Sequence, residues 1–293
     1  MKIRILTITF ILIMTFSLTV RADVLADRPG NPAIITDVPV LLPQEVPVGP
    51  VLSTGEAETE MAAAPGPGSG ITRMTLGFSL ICPAHSQNNM KLAQGSVQLS
   101  DGSWQDLGYD ACIRSPYFKL LREAVDSQGI SWYIVRVNGN RVGNAHTTDG
   151  TRVTELWLLK SDCTMQNYID LPAGNSTRQK IVAAALELLG CRYAYAGSGP
   201  DAFDCSGLVK YVCEKAGVSI PRTSSEVCAM SGQVSQANLR PGDICARNGH
   251  VGIYVGNDVF VHASESSTGV IAEYLSVYNS ANPFTNYINV AGD

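Results

Sequence analysis

The spacing of hydrophobic positions changes twice along this chain after residue 70. Met74, Leu76, Phe78 and Leu80 alternate with small or polar neighbours, the period of a strand with one buried face. Asp101-Gly102 and Asn138-Gly139 are hairpin dipeptides, and the second lies between the runs Trp132–Val137 and Arg141–Val142. A short helical piece is predicted over Tyr117–Val125. Residues 71–170 therefore read as mostly β. All three tryptophans (104, 132 and 157) fall there, as expected of a small barrel packed around a few large side chains.

From residue 171 the period lengthens. Ser176-Thr177-Arg178-Gln179 reads as a capping box that opens a helix through Ile181, Ala184, Ala185 and Leu188, with Gly190 as its stop. A second helix is predicted from Cys205 to Ala216, followed by Gly217. Beyond Pro241-Gly242-Asp243 the two-residue period returns in Ile244–Arg247, His250–Val255 and Val259–Ala263. Helices followed by strands predict an α+β domain over 171–293.

The first 70 residues read differently. Lys2 and Arg4 precede an apolar run from Ile5 to Val20, and Val20-Arg21-Ala22 offers a cleavage point, the pattern of a secretory signal peptide over 1–22. Residues 23–70 hold 8 of the 15 prolines, no aromatic residue and seven acidic residues against one basic. Such a stretch cannot bury enough apolar surface to offset its ordering entropy, so a flexible linker is expected. The whole chain of 293 residues is 45% hydrophobic, 16% charged and carries a net charge of −5. With no run of Lys or Arg, an electrostatic grip on nucleic acid is excluded, and no membrane contact is expected beyond the signal peptide. A secreted or periplasmic location follows.

Candidate chemistry centres on Asp204-Cys205-Ser206-Gly207. Asp204 is a good N-cap, which puts Cys205 in the first helical turn, where free N–H groups and the helix dipole favour a thiolate and lower the thiol's pKa. The eight cysteines contain no CxxC pair, and one of them must stay free if Cys205 is a nucleophile. Of four histidines only His250 and His262 lie in the C-terminal region, both on predicted strands. A three-residue turn at Gly256-Asn257-Asp258 would pair Val255 with Val259 and Gly252 with His262. That register sets the two histidines on one face as diagonal neighbours; a two-residue turn would flip one of them away. The parts then supply a nucleophile (Cys205), a general base (His250) and an orienting group (His262). Glycines at 249 and 252 are expected to leave room for a substrate. No metal or other cofactor is implied, since HExxH and HxH are absent.

The stretch from Gly190 to Ala263 resembles the NlpC/P60 family of papain-like cell-wall peptidases. The resemblance lies in Arg192-Tyr193-Ala194-Tyr195-Ala196-Gly197, Asp204-Cys205-Ser206-Gly207-Leu208, Pro221-Arg222-Thr223-Ser224, Leu239-Arg240-Pro241-Gly242-Asp243, Gly249-His250-Val251-Gly252-Ile253-Tyr254 and His262-Ala263. Arg192 and Ala196 stand where the family usually has Pro and Gly. The resemblance implies a domain of helices packed on an antiparallel sheet, and Ser131–Leu159 looks like part of an SH3-like module before it. It implies a Cys205/His250/His262 triad, with Tyr193 helping the Cys205 N–H to stabilise an oxyanion. Asp204, Ser206 and Ser224 would bind substrate; Asp204 and Ser224 also read simply as helix caps. The partner implied is a peptidoglycan stem peptide, cut at the γ-D-glutamyl–diamino acid bond by a monomeric enzyme. An N-acetylmuramoyl-L-alanine amidase, an acyltransferase or a silent wall-binding protein are the alternatives.

Overall fold

The structure, a computed structural model, describes residues 70–292 apart from positions 88, 89, 113, 267 and 268. The signal-peptide and linker expectations for residues 1–69 lie outside the described residues.

The first part is a seven-stranded antiparallel sheet. Its strands are β1 (Ile71–Pro83), β2 (Gly95–Gln98), β3 (Trp104–Gly108), β4 (Phe118–Val125), β5 (Ser131–Gly139), β6 (Val153–Leu159) and β7 (Cys163–Pro172), in the order β7-β1-β4-β5-β6-β2-β3. The alternation seen in β1 is real: Leu76 and Leu80 are buried while Thr75 and Gly77 are exposed. Three expectations need correction here. Tyr117–Val125 is not helical, because Phe118 and Lys119 pair with β1 and the residues from Leu120 onward pair with β5, with Leu120 opposite Val135. Helix-forming side chains such as Leu121, Arg122 and Glu123 are overridden by that pairing and by a forked Arg122–Glu155 ion pair at 2.5 and 2.7 Å. Asn138-Gly139 is not a hairpin tip either. Strand β5 runs through it to pair Gly139 with Val153, and residues 140–152 make a longer excursion. Finally, the tryptophans do not fill the main core. They form a side cluster, with Trp104 edge-on to Trp157 at 4.8 Å, while the core beneath the sheet is mainly aliphatic, with Phe118 and Tyr133.

The second part packs helices on an eight-stranded sheet. Its strands are β8 (Arg192–Tyr193), β9 (Ala202–Phe203), β10 (Gln233–Val234), β11 (Ile244–Arg247), β12 (His250–Gly256), β13 (Val259–Ser264), β14 (Gly269–Tyr274) and β15 (Asn286–Ile288). Their order is β9-β8-β14-β13-β12-β11-β15-β10, antiparallel except where β8 meets β9. Four helices accompany it: α1 (Ser176–Glu187), α2 (Cys205–Lys215), α3 (Ser224–Cys228) and α4 (Leu275–Ala281). The α+β expectation holds in this arrangement of few helices and a mixed sheet. Helix α1 is capped one residue earlier than expected: Asn175, not Ser176, accepts the Arg178 N–H.

Two joints fix the site's frame. The first is the buried Arg178 of α1, which donates to Asp243 at 2.8 Å and to the Pro241 carbonyl at 2.9 Å, locking the helix to the turn before β11. The second links the two parts. Arg136 of β5 donates to the carbonyls of Leu189 and Glu187 at 2.6 Å each, meeting the negative end of α1 with a cation. Gly190 passes so close that a Cβ there would lie 2.3 Å from the Arg136 carbonyl, at a φ of +79°. Any other residue would push the parts asunder. Leu76, Leu80, Ile169 and Leu171 of the β1/β7 ribbon also join the same apolar core as α1 and α2. Each side chain fully buried there stabilises by about 1.5–3 kcal/mol.

Candidate active site

Cys205 is the first residue of α2, as expected. Asp204 caps the helix by accepting the Gly207 N–H at 2.7 Å. The Asp204 carboxylate is in turn gripped by Arg222, which donates to its two oxygens at 3.0 and 2.6 Å. Arg222 also donates to Ser206 Oγ at 2.8 Å. Burial alone would raise the Asp204 pKa, but Arg222 and the Gly207 amide hold it below the usual carboxylate range. Ser206 is buried with its hydroxyl shared between Arg222 and Asp204. Arg222 stood in a recognised motif without a role; its place in this network depends on the bend at Pro221, which spacing alone does not reveal.

Burial pushes the Cys205 thiol up, and the amides of Val251, Ser206 and Cys205 itself only partly oppose it. This overturns the expectation of a lowered thiol pKa: the helix start places the sulfur, but water exclusion wins over the local amides. The sulfur reaches the Gly249 carbonyl at 4.0 Å and takes the Val251 N–H, so it bridges the backbone on both sides of His250.

His250 begins β12 and His262 lies in β13. Their rings meet at 2.8 Å, Nε2 of His250 to Nδ1 of His262, with ring planes at 89°. The shared face arises by a different turn from the one expected. Asn257 and Asp258 both have positive φ, 52° and 60°, the mark of a two-residue turn, and Gly256 pairs with Val259. An extra residue, Val255, is bulged out between the Tyr254 and Gly256 pairs. The bulge restores the register that the shorter turn would have lost, so Ile253 faces Val261 as in the three-residue scheme. Gly252 serves this face rather than a substrate, since a Cβ there would press on Phe260 at 2.8 Å and on the His262 Cβ at 3.1 Å.

A fourth member was not foreseen. Glu273 of β14 accepts from His262 Nε2 at 3.0 Å. Its signal was a lone acid in the apolar run Val270–Tyr274, legible only once β14 is known to pair with β13. These bonds fix the protons along the chain of groups. The carboxylate accepts a hydrogen bond from His262 Nε2–H, so His262 Nδ1 must accept from His250 Nε2–H. Nδ1 of His250 is left with its lone pair, the form a base needs.

Burial pushes the His250 pKa down to about 2, with the charges of His262 and Arg247 adding to the effect. Tyr278 and Phe284 stack on its ring at 5.8 and 6.1 Å. Tyr193 is half-buried on β8, beside Phe203 and close to Cys205; burial pushes its phenol up, so it stays a donor. Ser224 does not cap α3; Thr223 does, in a capping box with Glu226. Ser224 Oγ accepts the Gly249 N–H at 3.2 Å and Ser225 Oγ donates to Asn248 at 2.7 Å, so both pin the loop that leads into His250. All eight cysteines are free thiols, with no bridge among Cys191, Cys228 and Cys245.

The molecule is thus an α+β protein with a thiol and a buried imidazole relay at the meeting of helix and sheet. A family model described as the NlpC/P60 family matches residues 190–288. A probable endopeptidase of Corynebacterium glutamicum is 35% identical over 200 residues, 63% of this chain and 90% of that protein. The probable endopeptidase p60 of Listeria monocytogenes is 43% identical over 91 residues, 29% of this chain and 19% of that protein. The solved structure of the peptidoglycan hydrolase RipB from Mycobacterium tuberculosis is similar at 24% identity and a TM-score of 0.36, covering 40% of this chain and 66% of that one. The chain belongs to the NlpC/P60 family.

Proposed function

We propose that this protein is a secreted cysteine peptidase that hydrolyses peptidoglycan stem peptides at the γ-D-glutamyl–diamino acid bond. The observation that carries the reading is the Glu273–His262–His250 relay beside the helix-borne thiol, which leaves His250 neutral and lone-paired. His250 Nδ1 takes the Cys205 proton as Sγ attacks the scissile carbonyl. The Cys205 N–H and the Tyr193 hydroxyl hold the resulting oxyanion. Collapse expels the amine, which receives the proton from His250, and leaves a thioester on Cys205. Water then gives a proton to His250 as it attacks the thioester carbonyl; the C–S bond breaks, the acyl group leaves as the carboxylic acid, and the Cys205 thiolate is reprotonated by His250.

Asp204 and Ser206 border the acyl side of the groove in this scheme, and Ser224 acts through the loop it pins. The mostly-β part, residues 71–170, closes one end of the groove; Arg114, Arg141 and Asn144 from it share a cleft with His250. Digestion of defined muropeptides with mass analysis tests the reading. The expected result is cleavage between γ-D-glutamate and the diamino acid by the native protein and none by Cys205→Ala. Cleavage at the muramoyl–L-alanine bond instead, or no turnover at all by folded protein, would overturn it.

A further inference from the structure

The relay opens on one side into a cleft of about 360 Å³ whose walls come from both parts of the molecule. His250, His262 and Glu273 line it together with Tyr278, Asn282, Arg114 and Arg141. The two arginines stand out. Arg141 donates through Nε to the Gly143 carbonyl at 3.1 Å, which fixes the side chain and leaves its terminal nitrogens uncommitted. Among the described residues neither Arg141 nor Arg114 has a carboxylate partner. The acids of the cleft are otherwise placed: Glu273 is bound to His262, and Glu265 lies near Tyr193. Two guanidiniums that line one pocket and lack a carboxylate partner are a ready receptor for a carboxylate, which they can take in forked hydrogen bonds.

The reaction tells which part of a substrate would lie there. His250 must hand its proton to the leaving amine, so the residue that carries that amine sits on the histidine's side of the bond. The cleft is lined by His250 and not by Cys205, which puts it on that side. We propose that Arg114 and Arg141 form a carboxylate-binding subsite for the leaving residue, selecting a diamino acid whose far end bears a free carboxylate. Glu265 is placed to meet an ammonium next to it. The subsite rests on the proposed reaction for its orientation, and on the cleft alone for its chemistry. The β part thereby sets specificity, since both arginines belong to it.

The test separates the two readings by using binding as well as turnover. Two leaving-side peptides that differ only in whether the distal carboxylate is free or amidated are titrated by calorimetry into full-length Cys205→Ala. The free acid is expected to bind at least about tenfold tighter, the scale of one charge-assisted fork. In Cys205→Ala combined with Arg114→Gln and Arg141→Gln the ratio should fall towards one. Arg114→Gln alone, at an exposed side chain with no partner to lose, should lower the ratio partway without affecting the fold. Equal affinity for acid and amide, or a ratio that survives loss of both arginines, overturns the subsite. The matching γ-D-glutamyl substrates are then offered to the native enzyme. If the acid peptide binds selectively but neither substrate is cut, the subsite stands and the proposed reaction falls.

Discussion

The two sides of the site are built by opposite means. On the cysteine side, position is held by ions: the Arg222 fork on Asp204, with Ser206 drawn in, anchors the first turn of α2. On the histidine side, readiness comes from excluding charge. His262 is 2% exposed, and His250 is walled by Tyr278 and Phe284. The ionic side keeps its charges at any working pH. The buried side refuses a proton until chemistry supplies one. In the proposed reaction the resting pair is therefore a neutral thiol beside a neutral imidazole, and charge separates only as the carbonyl is attacked.

The largest expected effects fall on the reacting atoms themselves. Cys205→Ala should lower turnover by about 10³-fold or more and leave the fold intact, since alanine keeps the helix start that the Asp204 cap fixes. His250→Ala should cost about 10³- to 10⁴-fold, and His262→Ala clearly less, because His262 acts on the proton only through His250. Rates measured on one muropeptide would settle the order; an equal or reversed one breaks the assignment of base and orienting group. Glu273→Gln comes next, at about 10- to 100-fold. The amide can still accept from His262 but no longer stabilises the cation as the relay charges.

The ionic side should answer differently. Arg222→Met is expected to destabilise the fold by about 1–2 kcal/mol, discounted for a guanidinium that is one-third exposed, and to lower kcat about tenfold by loosening α2. Arg178→Met gives the contrast. Its partner Asp243 is 1% exposed, so the stranded carboxylate should cost about 3–5 kcal/mol with the residual folded protein fully active. Urea midpoints and rates taken together distinguish a residue that serves the site from one that serves only the frame.

The two sides also differed in how far they could be read from sequence. Cys205 at a helix start needs only local information, a capping aspartate and a 3.6-residue period, and so it was legible. The His250–His262 pairing was legible in outcome but by another route. A one-residue bulge is invisible in a hydrophobic pattern, and here it compensated for a turn shorter than the one inferred. Glu273 and Arg222 were out of reach because each acts across elements whose pairing no local signal fixes. The same holds for Tyr117–Val125, where local helix preference lost to pairing with β5. The thiol's pKa shows the limit most directly. Dipole and amides can be inferred from position in a helix, whereas burial is a property of the whole fold.

The smallest effect is the sharpest test of the claim that burial tunes the base. His250 ordinarily titrates near 6.5, and in the folded protein it is held down to about 2. Above the ordinary value both folded and unfolded chains carry the neutral ring, and the group contributes nothing to the pH dependence. Below it the unfolded chain takes up a proton that the folded one refuses, so stability falls as pH falls, at up to about 1.4 kcal/mol per pH unit. Between pH 7 and pH 5 this site alone should cost the native protein about 2 kcal/mol. His250→Gln carries no such proton and should lose correspondingly less over the same interval, as read from urea midpoints at the two pH values. If variant and native protein weakened in parallel, His250 would be taking up its proton inside the fold. The base would then be governed by its neighbours' charges, and the contrast between an ionic side and a charge-excluding side would not hold.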